Sequence, residues 1–291
     1  MSMTKINWYP GHMKKTKDMI NENMKIIDIV LEIVDARIPL SSKNPDIPKF
    51  AKNKKRLLLL NKSDLVEKEE INRWKKYFKE NNMANEVLEI SAETGYNIKK
   101  VFSLINELSK EKVEKMKKKG LRNVNVRIIV AGIPNVGKSK LINRIVGKNS
   151  AGVGNKPGFT KGKQWIRIKQ GVELLDTPGI LWPRFENEFV GYSLAIAGAI
   201  KDEILPIEEV AQEFIKRIKQ LNKEGIFIEK YRLEKSDINE LPEIILQKVA
   251  KNLGMLQKGE KLDTLQAAYK ILRDYRACNL GKFVIDIENN N

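Results

Sequence analysis

Three short segments of this 291-residue chain carry residue types that can do phosphate and base chemistry. Gly132-Ile133-Pro134-Asn135-Val136-Gly137-Lys138-Ser139 has the spacing of a phosphate-binding loop. An apolar run, Val126–Ala131, precedes it, and a helical run with Leu141, Ile142, Ile145 and Val146 follows. In that setting successive backbone N–H groups and a helix N-terminus converge on phosphate oxygens. Gly137 allows close approach, Lys138 neutralises the β- and γ-phosphates, and the Ser139 hydroxyl can bind Mg²⁺; the expected contact set runs from Asn135 to Lys140 and includes Val136. A glycine-bearing turn could match the bare spacing, but it would not explain the strand before it and the helix after it. The second segment, Asp176-Thr177-Pro178-Gly179, ends the apolar run Val172–Leu175. A carboxylate there can reach the Mg²⁺ shell, and the Gly179 N–H can contact a γ-phosphate. Taken alone these four residues also make a good β-turn, so their weight comes from following the loop.

The third segment reads a base. Asn61-Lys62-Ser63-Asp64 follows the run Leu57–Leu60, and Ser91-Ala92 follows Val87–Ile90. A carboxylate at Asp64 accepts two N–H bonds, from guanine N1 and N2. Adenine offers neither donor and would leave the carboxylate unmatched, a discrimination on the order of 10⁴. By itself Asn-Lys-Ser-Asp could be a surface turn capping the next helix. With a phosphate loop elsewhere in the chain, it implies GTP or GDP.

The order of these segments is informative. In ordinary GTPases the phosphate loop comes first and the base reader last. Here residues 61–64 and 91–92 precede residues 132–139 and 176–179, so the domain is circularly permuted. Termini of compact domains often lie close together, which makes such a rejoining physically cheap. The lysine-rich stretch 112–122 is the expected joint. Asp176–Gly179, whose backbone would respond to a γ-phosphate, leads directly into the C-terminal part, so nucleotide state is expected to act on that part through a short covalent lever.

The elements that must position these residues follow from periodicity. Strands are expected at 26–35, 56–60, 87–91, 126–132, 164–169 and 172–176, most of them near-continuous Ile, Leu and Val as in a buried sheet. Helical spacing fills 68–80, 98–110 and 138–147. This is a three-layer α/β domain over residues 1–182, with a smaller all-helical domain over 183–291. In the latter, 207–221 places Val210, Phe214, Ile218 and Leu221 on one face, with Lys216, Arg217 and Lys219 turned away. Residues 241–253 end at Gly254, an expected left-handed cap, and 263–276 aligns Leu265, Ala268, Leu272 and Tyr275.

Fifty-four Lys and Arg against 37 Asp and Glu leave a net charge of +17, an attraction for polyanions such as RNA. The charge is clustered: residues 112–122 hold six basic residues against one acid, and 155–169 hold five against none. One cysteine, Cys278, excludes an internal disulfide, and one histidine, His12, excludes the usual Cys/His zinc sites. No apolar run approaches the ~18 residues needed to cross a bilayer, and the start has no leader-like pattern. The expectation is a cytoplasmic protein without a membrane role, and a monomer.

These motifs resemble the YlqF/YawG family of circularly permuted GTPases. Asn7-Trp8-Tyr9-Pro10-Gly11-His12-Met13 is similar to that family's Trp-Phe-Pro-Gly-His-Met signature, with Tyr9 as the one departure. Asp35-Ala36-Arg37-Ile38-Pro39 and Lys156-Pro157-Gly158-Phe159-Thr160 also match, and the likeness covers residues 7–180 best. The resemblance implies a GTPase that binds the large (50S) ribosomal subunit late in assembly, contacts ribosomal RNA and proteins, and leaves after hydrolysis. It also implies C-terminal helices that contact RNA, with which Lys270, Arg273 and Arg276 along one side of the last helix agree.

Many GTPases carry a catalytic glutamine after the glycine of Asp-x-x-Gly; here Ile180 stands in that place and cannot orient a water. The resemblance implies that His12 does so instead, although a lone histidine is more often incidental. It makes Thr160 the switch threonine that closes on Mg²⁺ beside Ser139 and Asp176. It also implies that the Asn135 carbonyl holds K⁺ near the phosphates, where the alternative is a residue that only stabilises the turn. Two rival functions share part of this chemistry: a GTPase acting on transfer RNA or the mature ribosome, and a GTP-dependent RNA-binding scaffold.

Overall fold

The computed structural model describes residues 22–146, 164–169, 171–176 and 187–288. Four of the strands are runs whose central residues are buried, the expected result for a sheet covered on both faces. They are β1 (Ile29–Asp35), β2 (Lys55–Asn61), β3 (Glu86–Glu89) and β4 (Val126–Ala131). Two more, β5 (Gln164–Lys169) and β6 (Val172–Asp176), complete a six-stranded sheet in the order β3-β2-β1-β4-β6-β5. All neighbours are parallel except β5, which runs antiparallel to β6. Leu57–Leu60 at the heart of β2 are fully buried, and each such side chain contributes roughly 1.5–3 kcal/mol.

The crossovers are helices. α1 (Lys68–Glu80) buries Ile71, Trp74 and Phe78 at helical spacing, and α2 (Ile98–Lys118) buries Ile98, Val101 and Ile105. α3 (Lys138–Val146) buries Leu141, Ile142 and Ile145. Right-handed connections put α1 on one face of the sheet and α2 with α3 on the other, the three-layer arrangement. The last two strands have the expected bounds, and the other four differ from them by one to three residues at an end. α2 differs more: expected to stop near residue 110, it continues to Lys118, so most of the lysine-rich joint is helix. Lys112 anchors that extension on Asp28 at 2.6 Å, and Lys115, Lys117 and Lys118 in its last turn oppose the negative end of the helix dipole.

A separate helical unit begins with α4 (Glu188–Ile196). It continues through α5 (Ile207–Gln220), α6 (Glu224–Tyr231), α7 (Pro242–Asn252) and α8 (Thr264–Arg276). Its core joins Phe214 of α5 to Tyr275 of α8, with ring centroids 4.8 Å apart. Gly254 takes φ +65 just after α7, the left-handed closure its position predicts. The domain boundary expected at 182/183 lies outside the described residues.

Three expectations for the side chains of these helices are corrected. Arg217 is fully buried rather than turned away: it pairs with Glu213 at 3.1 Å, and donates to Ser193 Oγ at 2.7 Å and to the Phe189 carbonyl at 3.0 Å. Two of those partners belong to α4, a helix apolar nearly all round and therefore without the amphipathic period that would have announced it. Leu265 is 44% exposed, its place in the core taken by Ala267 and Ile271. Arg276 does not extend a basic face; it clamps Asp202 and the carbonyls of Ala195 and Ile196.

Candidate guanine-nucleotide site

The strand order fixes where chemistry can occur. β1 lies between β2, which leads into Asn61–Asp64, and β4, which leads into Gly132–Ser139. Both motifs therefore emerge at the carboxyl edge of the sheet, on either side of the strand where the chain direction of travel reverses, the usual ligand-binding crevice of such sheets. The pairing Ile129↔Leu175 brings the backbone of Asp176, the last residue of β6, beside the entry to the loop.

The loop itself is shaped by two left-handed residues, Asn135 at φ +57 and Gly137 at φ +100. A Cβ on Gly137 would lie 2.3 Å from Asn61 Nδ2, so backbone conformation and close approach both demand glycine. Gly132 is equally constrained, because a Cβ there would come within 2.6 Å of the Ile33 carbonyl. Val136 is buried, and Lys138 is 8% exposed at the first position of α3. The N–H groups of that first turn, Lys138 to Lys140, point out of the helix end, toward the place phosphate would occupy. Ser139 opens the same turn. The Lys140 ammonium is directed elsewhere: it pairs with Glu93. The Ser139 hydroxyl at the helix start is a hard-oxygen donor, which fits Mg²⁺.

Asn61 ties the motifs together. Its Nδ2 donates to the Val136 carbonyl at 2.7 Å, and its Oδ1 accepts from the Ala92 N–H at 2.9 Å. One buried amide thus joins the phosphate loop, the end of β2 and the Ser91-Ala92 turn. Ser91 is fully buried and its Oγ accepts from the Thr94 N–H at 3.0 Å, holding that turn closed. Arg144 of α3 donates to the carbonyls of Ala92 and Glu93, a second strap between the same two segments.

Asp64 carries the clearest sign of a missing ligand. Its Oδ1 is buried without a hydrogen-bond partner, beside a cleft of about 350 Å³ lined by Ser63, Ser91, Thr94 and Tyr96. A buried carboxylate oxygen left unmatched costs more than it returns, so it stands ready for a donor such as guanine N–H. Lys62 does not face the cleft with its ammonium. At φ +61 it reaches Asp35 Oδ2 at 2.7 Å, where Arg37 also binds through Nη2 at 2.7 Å.

The Asp35–Arg37 pair that Lys62 joins is the part of the site not assigned from residue types. Burial alone would raise the Asp35 pKa; Arg37 and Lys62 more than offset it and hold the carboxyl well below the usual range. Asp35 at the end of β1, a strand with only one other charged residue, Glu32, was the available signal. His12, Thr160 and Gly179 lie outside the described residues, as does the Asp176 side chain.

A base reader, a phosphate loop and a strand-end aspartate in that order on one mostly parallel sheet define a circularly permuted P-loop GTPase. The comparisons agree. A family model described as "50S ribosome-binding GTPase" matches residues 127–245. The chain is 42% identical to ribosome biogenesis GTPase A of Bacillus cereus, over 97% of this chain and 93% of that one. Among solved structures, the GDP-bound structure of TM YlqF gives a TM-score of 0.65 at 21% identity, covering 94% of this chain and 100% of that one. GNP-bound YlqF from T. maritima gives 0.63 at 22% identity, covering 95% and 100%. At those identities the two structures establish the shared fold. The full-length sequence likeness establishes the rest: the chain belongs to the ribosome biogenesis GTPase A family.

Proposed function

We propose that the protein hydrolyses GTP to drive its own cycle on the large ribosomal subunit, binding late in that subunit's maturation and leaving once GDP is formed. The observation that carries this reading is the buried, unpartnered Asp64 oxygen, set on the same sheet edge as the phosphate loop. The full-length likeness to assembly GTPases supplies the cellular setting.

In this reading Asp64 selects guanine, with Ser63, Ser91 and Ala92 shaping the pocket and Asn61 and Lys62 holding it. The loop from Asn135 through Val136, Gly137, Lys138, Ser139 and Lys140 cradles the phosphates. Ser139, Thr160 and Asp176 would hold Mg²⁺, which supplies charge neutralisation at the β- and γ-phosphates. The Gly179 N–H meets the γ-phosphate. Asn135 would hold K⁺, whose positive charge favours the developing negative charge of phosphoryl transfer. Ile180 leaves water activation to another group, and His12 takes that part when the subunit orders it. The helical domain contacts ribosomal RNA, and the protein acts as a monomer.

The test is steady-state phosphate release in KCl and in NaCl at matched ionic strength, with and without purified large subunits, for the native protein and His12→Ala. The expected result is strong subunit stimulation that requires K⁺ and disappears in the variant while GTP affinity is retained. Full stimulated turnover in His12→Ala would remove that role. No stimulation by any subunit preparation would refute the assembly cycle.

A further inference from the structure

The opposite edge of the same sheet carries a basic surface that nucleotide chemistry does not use. Here β1, β2, β4 and β6 begin, and the C-terminal half of α2 runs past their starts. One groove of about 1110 Å³ lies on one side of that helix, lined by Lys110, Lys117, Arg122 and Arg167 together with the amides of Asn106 and Asn125. A second, of about 430 Å³, lies on the other side, with Lys55, Lys115 and Lys119.

These walls carry eight basic residues against four acids, two of which, Glu111 and Glu114, make no ion pair with a described residue. Glu173 is met by Arg127 at 3.1 Å, by Asn125 at 3.0 Å and more distantly by Arg167 at 3.8 Å, and Asp28 by Lys112 at 2.6 Å. Lys110, Lys115, Lys117, Lys119 and Arg122 are exposed and make no ion pair with a described residue. The helix dipole accounts for last-turn lysines, but not for Lys110 a turn and more earlier, nor for Lys55 and Arg167 contributed by β2 and β5. Cations converging from three elements repel one another unless a polyanion joins them.

We infer that this edge is a docking surface for the sugar-phosphate backbone of RNA, with the end of α2 as a ridge between two phosphate-accepting grooves. The inference deepens the proposed function by placing an RNA contact on the GTPase domain itself, away from the nucleotide. Flexible lysines and open grooves suit backbone recognition without base reading, so affinity here is salt-dependent and tolerant of sequence.

The experiment compares Lys110→Gln/Lys117→Gln/Arg122→Gln with a control triple on α1, Arg73→Gln/Lys76→Gln/Lys79→Gln, which removes equal charge from residues already paired with Glu70, Glu80 and Glu86. Binding to a 20-base-pair RNA duplex of arbitrary sequence and to purified large subunits is measured across a salt series, with GDP affinity as the check on folding. The groove variant is expected to lose on the order of 30-fold in duplex affinity near physiological salt, and its log-log salt slope to flatten by about 1 per phosphate contact removed. The control should behave as native. Duplex binding equal to the control in both affinity and slope overturns the inference. So does loss of subunit binding with duplex binding intact, which would make the partner a protein. Failure of the native protein to bind any subunit would refute the proposed function, while the duplex measurement still decides this surface on its own.

Discussion

Asp64→Asn gives the sharpest test of the base site, because it changes one oxygen to an amide without changing size. The guanine reading assigns Asp64 two charge-assisted hydrogen bonds, each contributing about 1.5–3 kcal/mol. Asparagine keeps one acceptor and turns its other end into a donor facing the guanine 2-amino group. The expected loss is about 3–6 kcal/mol, or roughly 10²- to 10⁴-fold in GDP affinity. Xanthine has a carbonyl where guanine has that amino group, so the variant should gain affinity for XDP as it loses GDP. Stability without nucleotide should not fall, since the substitution removes a buried anionic oxygen that has no partner. Fluorescence titration with labelled GDP and competition by XDP measures both affinities, and urea unfolding measures stability. A GDP loss smaller than about tenfold, or no gain for XDP, would refute the assignment of Asp64 as the base reader.

Three further outcomes are expected. Gly137→Ala must place a side chain 2.3 Å from Asn61 Nδ2 at φ +100, so it should cost about 1–3 kcal/mol in urea unfolding and abolish tight nucleotide binding. Asp35→Asn leaves Arg37 and Lys62 facing a neutral amide and should destabilise by about 3–5 kcal/mol at pH 7. Because the folded Asp35 pKa is depressed, its stabilisation is complete above the unfolded value near 4 and is lost as pH falls toward the folded one; the gap between native and variant in denaturant titrations should therefore narrow only below about pH 4. Arg217→Ala strands Glu213 and the Phe189 carbonyl inside the helical unit, and thermal unfolding should show a loss of about 3–5 kcal/mol.

The sheet was legible because most of its strands are near-continuous apolar runs, and the phosphate loop because its glycines answer steric demands that the structure shows at Gly132 and Gly137. Asn61 and Lys62 were found as members of a motif but not in their actual work, since the partners Val136, Ala92 and Asp35 are distant in sequence and become neighbours only through sheet order. The same applies to Lys140, whose partner Glu93 sits on the other side of the permutation. In the helical unit α5, α7 and α8 announced themselves by amphipathic spacing. α4 did not, and missing it made a buried arginine look like a surface one. Charge alone cannot distinguish Arg276, clamped on Asp202, from a cation that awaits a polyanion.

The strand order also sets a schedule for synthesis. A chain made from its N-terminus completes β1, β2 and β3 with α1 and α2 before β4 exists, and those three strands are adjacent in the finished sheet. The half that carries Asn61–Asp64 can therefore pair its strands while the half that carries Gly132–Ser139 is still being made. Until then the other edge of β1 stays open, and its Ile29–Glu32 backbone waits about a hundred residues for Ile128–Ala131. An unpaired central strand is a template for foreign strands as well as for its own. Reordering the motifs has thus moved the domain's vulnerable interval to its middle strand, between the end of β3 and the arrival of β4, at a stage when no phosphate loop exists for nucleotide to stabilise.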